Sequence, residues 1–71
     1  MATKIRSEIS GLVRKIKKQL GDAVKAGDVL LILEAMKMEL PVEATTPGTI
    51  AEIRCKEGES VTEGEILIIL A

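Results

Sequence analysis

Aromatic residues and histidine are absent from this chain of 71 residues, and it holds only one cysteine and two prolines. Each shortage excludes something. Without histidine there is no imidazole for general acid–base work. With one cysteine and no histidine, a Cys/His zinc site has too few ligands. Cys55 alone cannot form an internal disulfide, which fits a reducing compartment and predicts a cytoplasmic location. Without Phe, Tyr or Trp there is nothing to stack on bases, and the core must come from Ile, Leu, Val and Ala. No long hydrophobic run exists either. The longest, Ile66 to Ala71, falls far short of the roughly 18 residues of a membrane span. The opening Met1-Ala2-Thr3-Lys4 has no apolar stretch after it, so no secretory signal is predicted. No glycine-rich phosphate cradle of the Gly-x-x-x-x-Gly-Lys-Ser/Thr kind is present.

What is present is an apolar fraction of 46% in a chain with net charge −1. That composition predicts one small folded domain over residues 1–71, with a thin stability margin because so small a chain buries only about 60% of its unfolded surface. Charge is unevenly placed: Met1 to Lys37 holds eight basic and four acidic residues, and Met38 to Ala71 two basic and seven acidic. The cluster Arg14-Lys15-Ile16-Lys17-Lys18 suits a solvated strand face or a docking surface for a protein. The missing aromatics and slightly acidic total argue against nucleic acid. Neither nucleic acid nor membrane is predicted as a partner.

The two halves repeat. A shift of 37 positions lays Gly11 on Gly48, Ile16 on Ile53, Gly21 on Gly58, Val24 on Val61, Gly27 on Gly64, Leu30 on Leu67, Ile32 on Ile69 and Leu33 on Leu70. Val13/Ile50, Asp22/Glu59, Asp28/Glu65 and Val29/Ile66 are conservative matches in the same register. One supersecondary unit is therefore used twice, over about 11–34 and 48–71. Each copy reads as a strand from its first glycine, a short strand at Val24 or Val61, and a main strand at 29–33 or 66–70. The main runs are continuous rather than alternating, which a strand or a buried helix could explain; their shortness and glycine boundaries favour strand. Turn signals every six to ten residues predict an all-β sandwich or barrel. Leu40, Val42 and Ala44 alternate with Glu39 and Glu43 in a return strand whose Pro41 belongs at a sheet edge or a bulge.

Between the copies lies Glu34-Ala35-Met36-Lys37-Met38-Glu39. Tight hairpin turns favour Asn-Gly, Asp-Gly or Gly, because their central residues need positive φ. Met-Lys is a poor turn sequence, so these residues are there to present something. A lysine amine on a flexible stem is a target for covalent modification. A pseudo-twofold axis would put Lys37 at one end and the chain termini at the other. Met36 and Met38 suit either core packing or a soft surface read by a modifying enzyme. Glu34 and Glu39 serve solubility or partner docking equally well. Cys55 is expected to be a small buried hydrophobe rather than a reactive thiol.

At these residues the chain resembles the biotinyl domains of the biotin carboxyl carrier family, whose Ala-Met-Lys-Met signature it carries at Ala35-Met36-Lys37-Met38. The resemblance covers about Glu8 to Leu70. It includes Lys25-Ala26-Gly27-Asp28-Val29-Leu30 before the motif, and Lys56-Glu57-Gly58 with Val61 and Gly64 after it. It implies a flattened barrel, the barrel-sandwich hybrid, of two four-stranded antiparallel sheets with quasi-twofold symmetry. It also implies biotin joined to Lys37 by an ATP-using biotin–protein ligase, with Glu34, Ala35, Met36 and Met38 as recognition residues. The carried carboxyl group would pass from a biotin carboxylase to a carboxyltransferase, as in acetyl-CoA carboxylase, and the domain itself would catalyse nothing. The chain departs from the family at Lys18 and Leu20, lacks the Ala-Pro-x-Pro lead-in before Gly11, and has no extra thumb loop. Two alternatives remain open: a lipoyl-type acyl carrier, whose tip looks like Asp-Lys-Ala, and an unmodified hybrid-fold adaptor.

Overall fold

The computed structural model describes residues 2–71; Met1, where the reading of the chain's opening begins, lies outside the described residues. Eight strands follow one another: β1 (Thr3–Arg6), β2 (Gly11–Ile16), β3 (Ala23–Val24), β4 (Val29–Ala35), β5 (Met38–Glu43), β6 (Gly48–Ile53), β7 (Ser60–Val61) and β8 (Ile66–Leu70). They form two four-stranded sheets ordered β1-β8-β6-β3 and β5-β4-β2-β7, with every pairing antiparallel. The fold is the all-β pair of sheets that the sequence predicts.

The pairing registers repeat at the same offset of 37. Val13 opposes Leu33 and Lys15 opposes Ile32 in one sheet; Ile50 opposes Leu70 and Glu52 opposes Ile69 in the other. The equivalence runs further than the sequence comparison reached. β5 pairs β4 as β1 pairs β8, with Leu40 opposite Leu33 as Thr3 is opposite Leu70, and Val42 opposite Leu31 as Ile5 is opposite Ile68. Thr3/Leu40, Lys4/Pro41 and Arg6/Glu43 differ too much in chemistry for the sequence to align them.

Bulges explain the continuous apolar runs. Val29 opposes Glu43 and Leu31 opposes Val42, so Leu30 is an extra residue on β4. The inserted residue breaks the period of two, and Leu30 and Leu31 are both buried. Leu67 and Ile68 repeat this on β8. Both sheets contribute to one core that includes Val13, Leu30, Leu31, Leu33, Ile50, Leu67, Ile68 and Leu70. Val24 and Val61 are also buried, whereas Ile16 and Ile53 are only half-buried and pack against the core from the side.

Four turns share one construction. In each a glycine precedes an acid, and that side chain accepts a hydrogen bond from the backbone N–H three residues earlier: Asp22 from Gln19, Asp28 from Lys25, Glu59 from Lys56 and Glu65 from Thr62. The glycine N–H donors cross between halves. Gly21 donates to Ile50 O and Gly58 to Val13 O; Gly27 donates to Ala44 O and Gly64 to Ser7 O. The body measures 32 × 17 × 17 Å. Gly11 pairs with Val61 and packs against Glu34 and Ala35, while Gly48 pairs with Val24 and packs against Leu70 and Ala71. The hairpin joining β4 to β5 therefore projects at the end opposite Ala71.

Candidate functional site

Ala35 and Met38 are Cα partners that close the β4–β5 hairpin, and Met36 and Lys37 form its tip. Both tip residues have positive φ, 52° and 65°. This is the left-handed pair of a two-residue type I′ turn, normally filled by Asn or Gly. Among the described residues they are the only non-glycine residues with positive φ. Such backbone costs of order 1 kcal/mol or more per residue and persists where the surroundings enforce it. The enforcement here is a ladder of paired residues on both strands down to Val29 and Glu43.

The turn geometry aims the tip side chains into solvent. Lys37 is exposed; Met36 is 88% and Met38 61% exposed, two of the three large hydrophobic side chains left out of the core among the described residues. Ala35 is buried. The ion pairs among the described residues are Arg14–Glu34 and Arg54–Glu52, so the Lys37 amine is held by none. One rung below the closing pair, Glu34 and Glu39 face each other across the strands. Like charges placed so repel, and Arg14 on β2 relieves this with a guanidinium 3.5 Å from the Glu34 carboxylate. At half-exposed side chains that bridge adds little stability; it fixes where the Glu34 carboxylate points.

Beneath the hairpin, Gly11 of β2 lies against the backbone of Glu34 so closely that a Cβ there would be 2.6 Å from the carbonyl oxygen. The site thus rests on two contacts that sequence reasoning did not find: Arg14, which looked like one member of a basic run, and Gly11, which looked like a strand start. The matching offset of Gly11 and Gly48 was the available signal for the second.

Cys55 is buried, with burial the main cause, and Glu59 and Glu65 lesser ones, of a thiol pKa pushed up to about 11. No group of three His, Cys, Asp or Glu side chains able to hold a metal occurs among the described residues. No helix there is long and apolar enough to cross a membrane.

Two matched sheets, with an exposed lysine on the strained hairpin that projects from them, have the architecture of an attachment domain. The sequence profile described as "Biotin-requiring enzyme" matches residues 1–70, and the chain belongs to this biotin/lipoyl attachment family. It is 38% identical over 64 residues, 90% of its length, to the Biotin/lipoyl attachment protein of Bacillus subtilis (strain 168), covering 88% of that protein. It is 34% identical over 71 residues to the Biotinylated protein TB7.3 homolog of Mycobacterium leprae (strain TN), with both chains covered in full. Among solved structures, Kluyveromyces lactis urea carboxylase superposes on the whole chain with a TM-score of 0.95 at 37% identity, using 6% of that protein. The lipoyl domain of the 2-oxoglutarate dehydrogenase complex from Azotobacter vinelandii matches 87% of the chain, and 78% of its own, with a TM-score of 0.75 at 37% identity. Members of this family are carrier domains.

Proposed function

We propose that Lys37 is the attachment lysine and carries biotin in amide linkage to Nζ. The domain then carries a carboxyl group between a biotin carboxylase and a carboxyltransferase. One observation carries this reading: an unpaired lysine amine stands at a strained tip between two exposed methionines. The residues fit the group. Lys37 is exposed on a two-residue turn, and Met36 and Met38 give a ligase an apolar surface on either side. Glu34 adds a half-buried carboxylate to that surface, and buried Ala35 supports it from beneath. When attached, biotin supplies the ring nitrogen that accepts and releases the carboxyl group. The protein supplies reach, exposure and a rigid base. The single cysteine, buried as a free thiol, supports a reducing, cytoplasmic setting.

A lipoyl carrier shares the fold, as the Azotobacter domain demonstrates for that protein. Met36 and Met38 in place of the lipoyl-type Asp and Ala favour biotin. Incubation with biotin–protein ligase, ATP and biotin, followed by intact mass and peptide mapping, tests the reading. The expected result is one adduct, on Lys37 out of seven lysines, lost in Lys37→Arg. An adduct elsewhere, or selective labelling by a lipoyl-attaching enzyme, overturns it.

A further inference from the structure

The geometry points to the outer face of β2 and the residue that follows it, with Arg14, Lys15 and Lys17, as a docking surface for an acidic patch on the biotin–protein ligase that loads Lys37. This rests on the reading of Lys37 as the attachment lysine.

The pseudo-twofold supplies an internal control. In both halves a bulge skips one residue, Arg14 on β2 and Ala51 on β6, and exposes it together with its successor. The positions equivalent to Arg14, Lys15 and Lys17 hold Ala51, Glu52 and Arg54. The same backbone thus carries three positive charges on one sheet and none net on the other. Of the three cations, only Arg14 has an ion-pair partner among the described residues, Glu34. The fold does use its acids: Asp22, Asp28, Glu59 and Glu65 cap turns, and Glu57 accepts a hydrogen bond from the Ile16 N–H. Lys15 and Lys17 have no such side-chain role. Lys18, which the sequence groups with them, is half-buried at the position equivalent to buried Cys55 and does not belong to the strip.

Placement selects the partner. Arg14, Lys15 and Lys17 line a shallow cleft with Ile32 and Glu39, which continues the strip to the base of the hairpin. Nζ reaches only one lysine side chain beyond the backbone. An enzyme that must touch Nζ itself therefore descends onto the strands beside the tip. Enzymes acting at the far end of attached biotin work on a longer arm and can stand further off. The face is also divided: cations on β2, the Glu34–Glu39 pair on β4 and β5. A divided face fixes the orientation of an approaching partner and raises its association rate.

The test compares Lys15→Glu/Lys17→Glu with Lys4→Glu/Arg54→Glu, the same change in net charge placed on the other sheet. Glu52 already occupies the position equivalent to Lys15, so the bulge accommodates the first change; thermal unfolding checks both. With purified biotin–protein ligase, ATP and biotin at low salt, the β2 variant is expected to lose about tenfold in kcat/KM for Lys37, as steered association does, with kcat retained. The loss should vanish near 1 M salt, where the screening length is about 3 Å. The opposite-face variant should stay within about twofold of wild type. Equal losses in both, or none in either, overturn the proposal. So does a salt-sensitive self-association of the wild type that the β2 variant loses while labelling is unchanged, which gives the strip to a second copy. Failure of the wild type to label at Lys37 instead strikes the attachment reading itself.

Discussion

Gly11 and Glu34 approach so closely that no side chain fits between them: a Cβ on Gly11 would lie 2.6 Å from the Glu34 carbonyl oxygen. The neighbour is backbone, three residues before Lys37, and cannot swing aside. Gly11→Ala is expected to destabilise by about 1–3 kcal/mol, the usual cost of forcing extra volume into packed structure. Chemical denaturation measures it. Gly48→Ala meets Ala71 O at 2.9 Å at the end of the described chain, where the backbone yields more readily, so its cost should be smaller.

The left-handed tip separates strain from recognition. Met36→Asn places a residue that tolerates positive φ where Met36 sits at 52°, and should raise stability by up to about 1 kcal/mol. It should at the same time lower the rate of ligase labelling, because the exposed thioether is gone. Met36→Leu and Met38→Leu should leave stability within about 0.5 kcal/mol, as surface changes do. A drop of several kcal/mol in a melting experiment would make these methionines structural.

Leu30 and Leu67 are each fully buried at equivalent bulges. Leu30→Ala and Leu67→Ala should each cost about 2–5 kcal/mol, and by nearly the same amount in urea titrations. For so small a body either change removes much of the total stability. A large difference between them would mean that the two halves are not energetically equivalent.

Cys55 gives a pH signature of known sign. Its thiol pKa rises from 9.0 to about 11 on folding, first through burial and then through Glu59 and Glu65. The folded state therefore holds the proton more tightly, and this stabilisation is complete below about pH 9. It is lost as pH climbs from 9 through 11, amounting to at most roughly 3 kcal/mol. Cys55→Ala should flatten stability across that window, and wild-type alkylation at pH 8 should be slow until the protein is unfolded.

Much of the fold was legible because its strongest signals are local. Glycine spacing and short apolar runs marked the turns and the strands, and Met-Lys at a turn marked the candidate site. Pro41 sits on an outer strand, where a missing donor does least harm. The bulges were not legible: an extra residue on one strand is defined only by its partner strand, so Leu30-Leu31 read as continuous apolar sequence. The equivalence of β1 with β5 was hidden because Thr3 and Leu40 share a backbone role and no side-chain chemistry. The Arg14–Glu34 contact joins residues 20 apart across neighbouring strands, a distance at which sequence shows charge but no pairing.

The crossed donors of the four turns have a consequence for what counts as half of this molecule. Gly21 and Gly27 give their N–H groups to Ile50 and Ala44, and Gly58 and Gly64 give theirs to Val13 and Ser7. A peptide of either half, made alone, keeps its glycines and loses every one of these acceptors. It could recover them only by pairing with a second copy of itself about a true twofold axis. The covalent chain carries that partner permanently, so the hairpin that presents Lys37 stands on a foundation whose two halves cannot part.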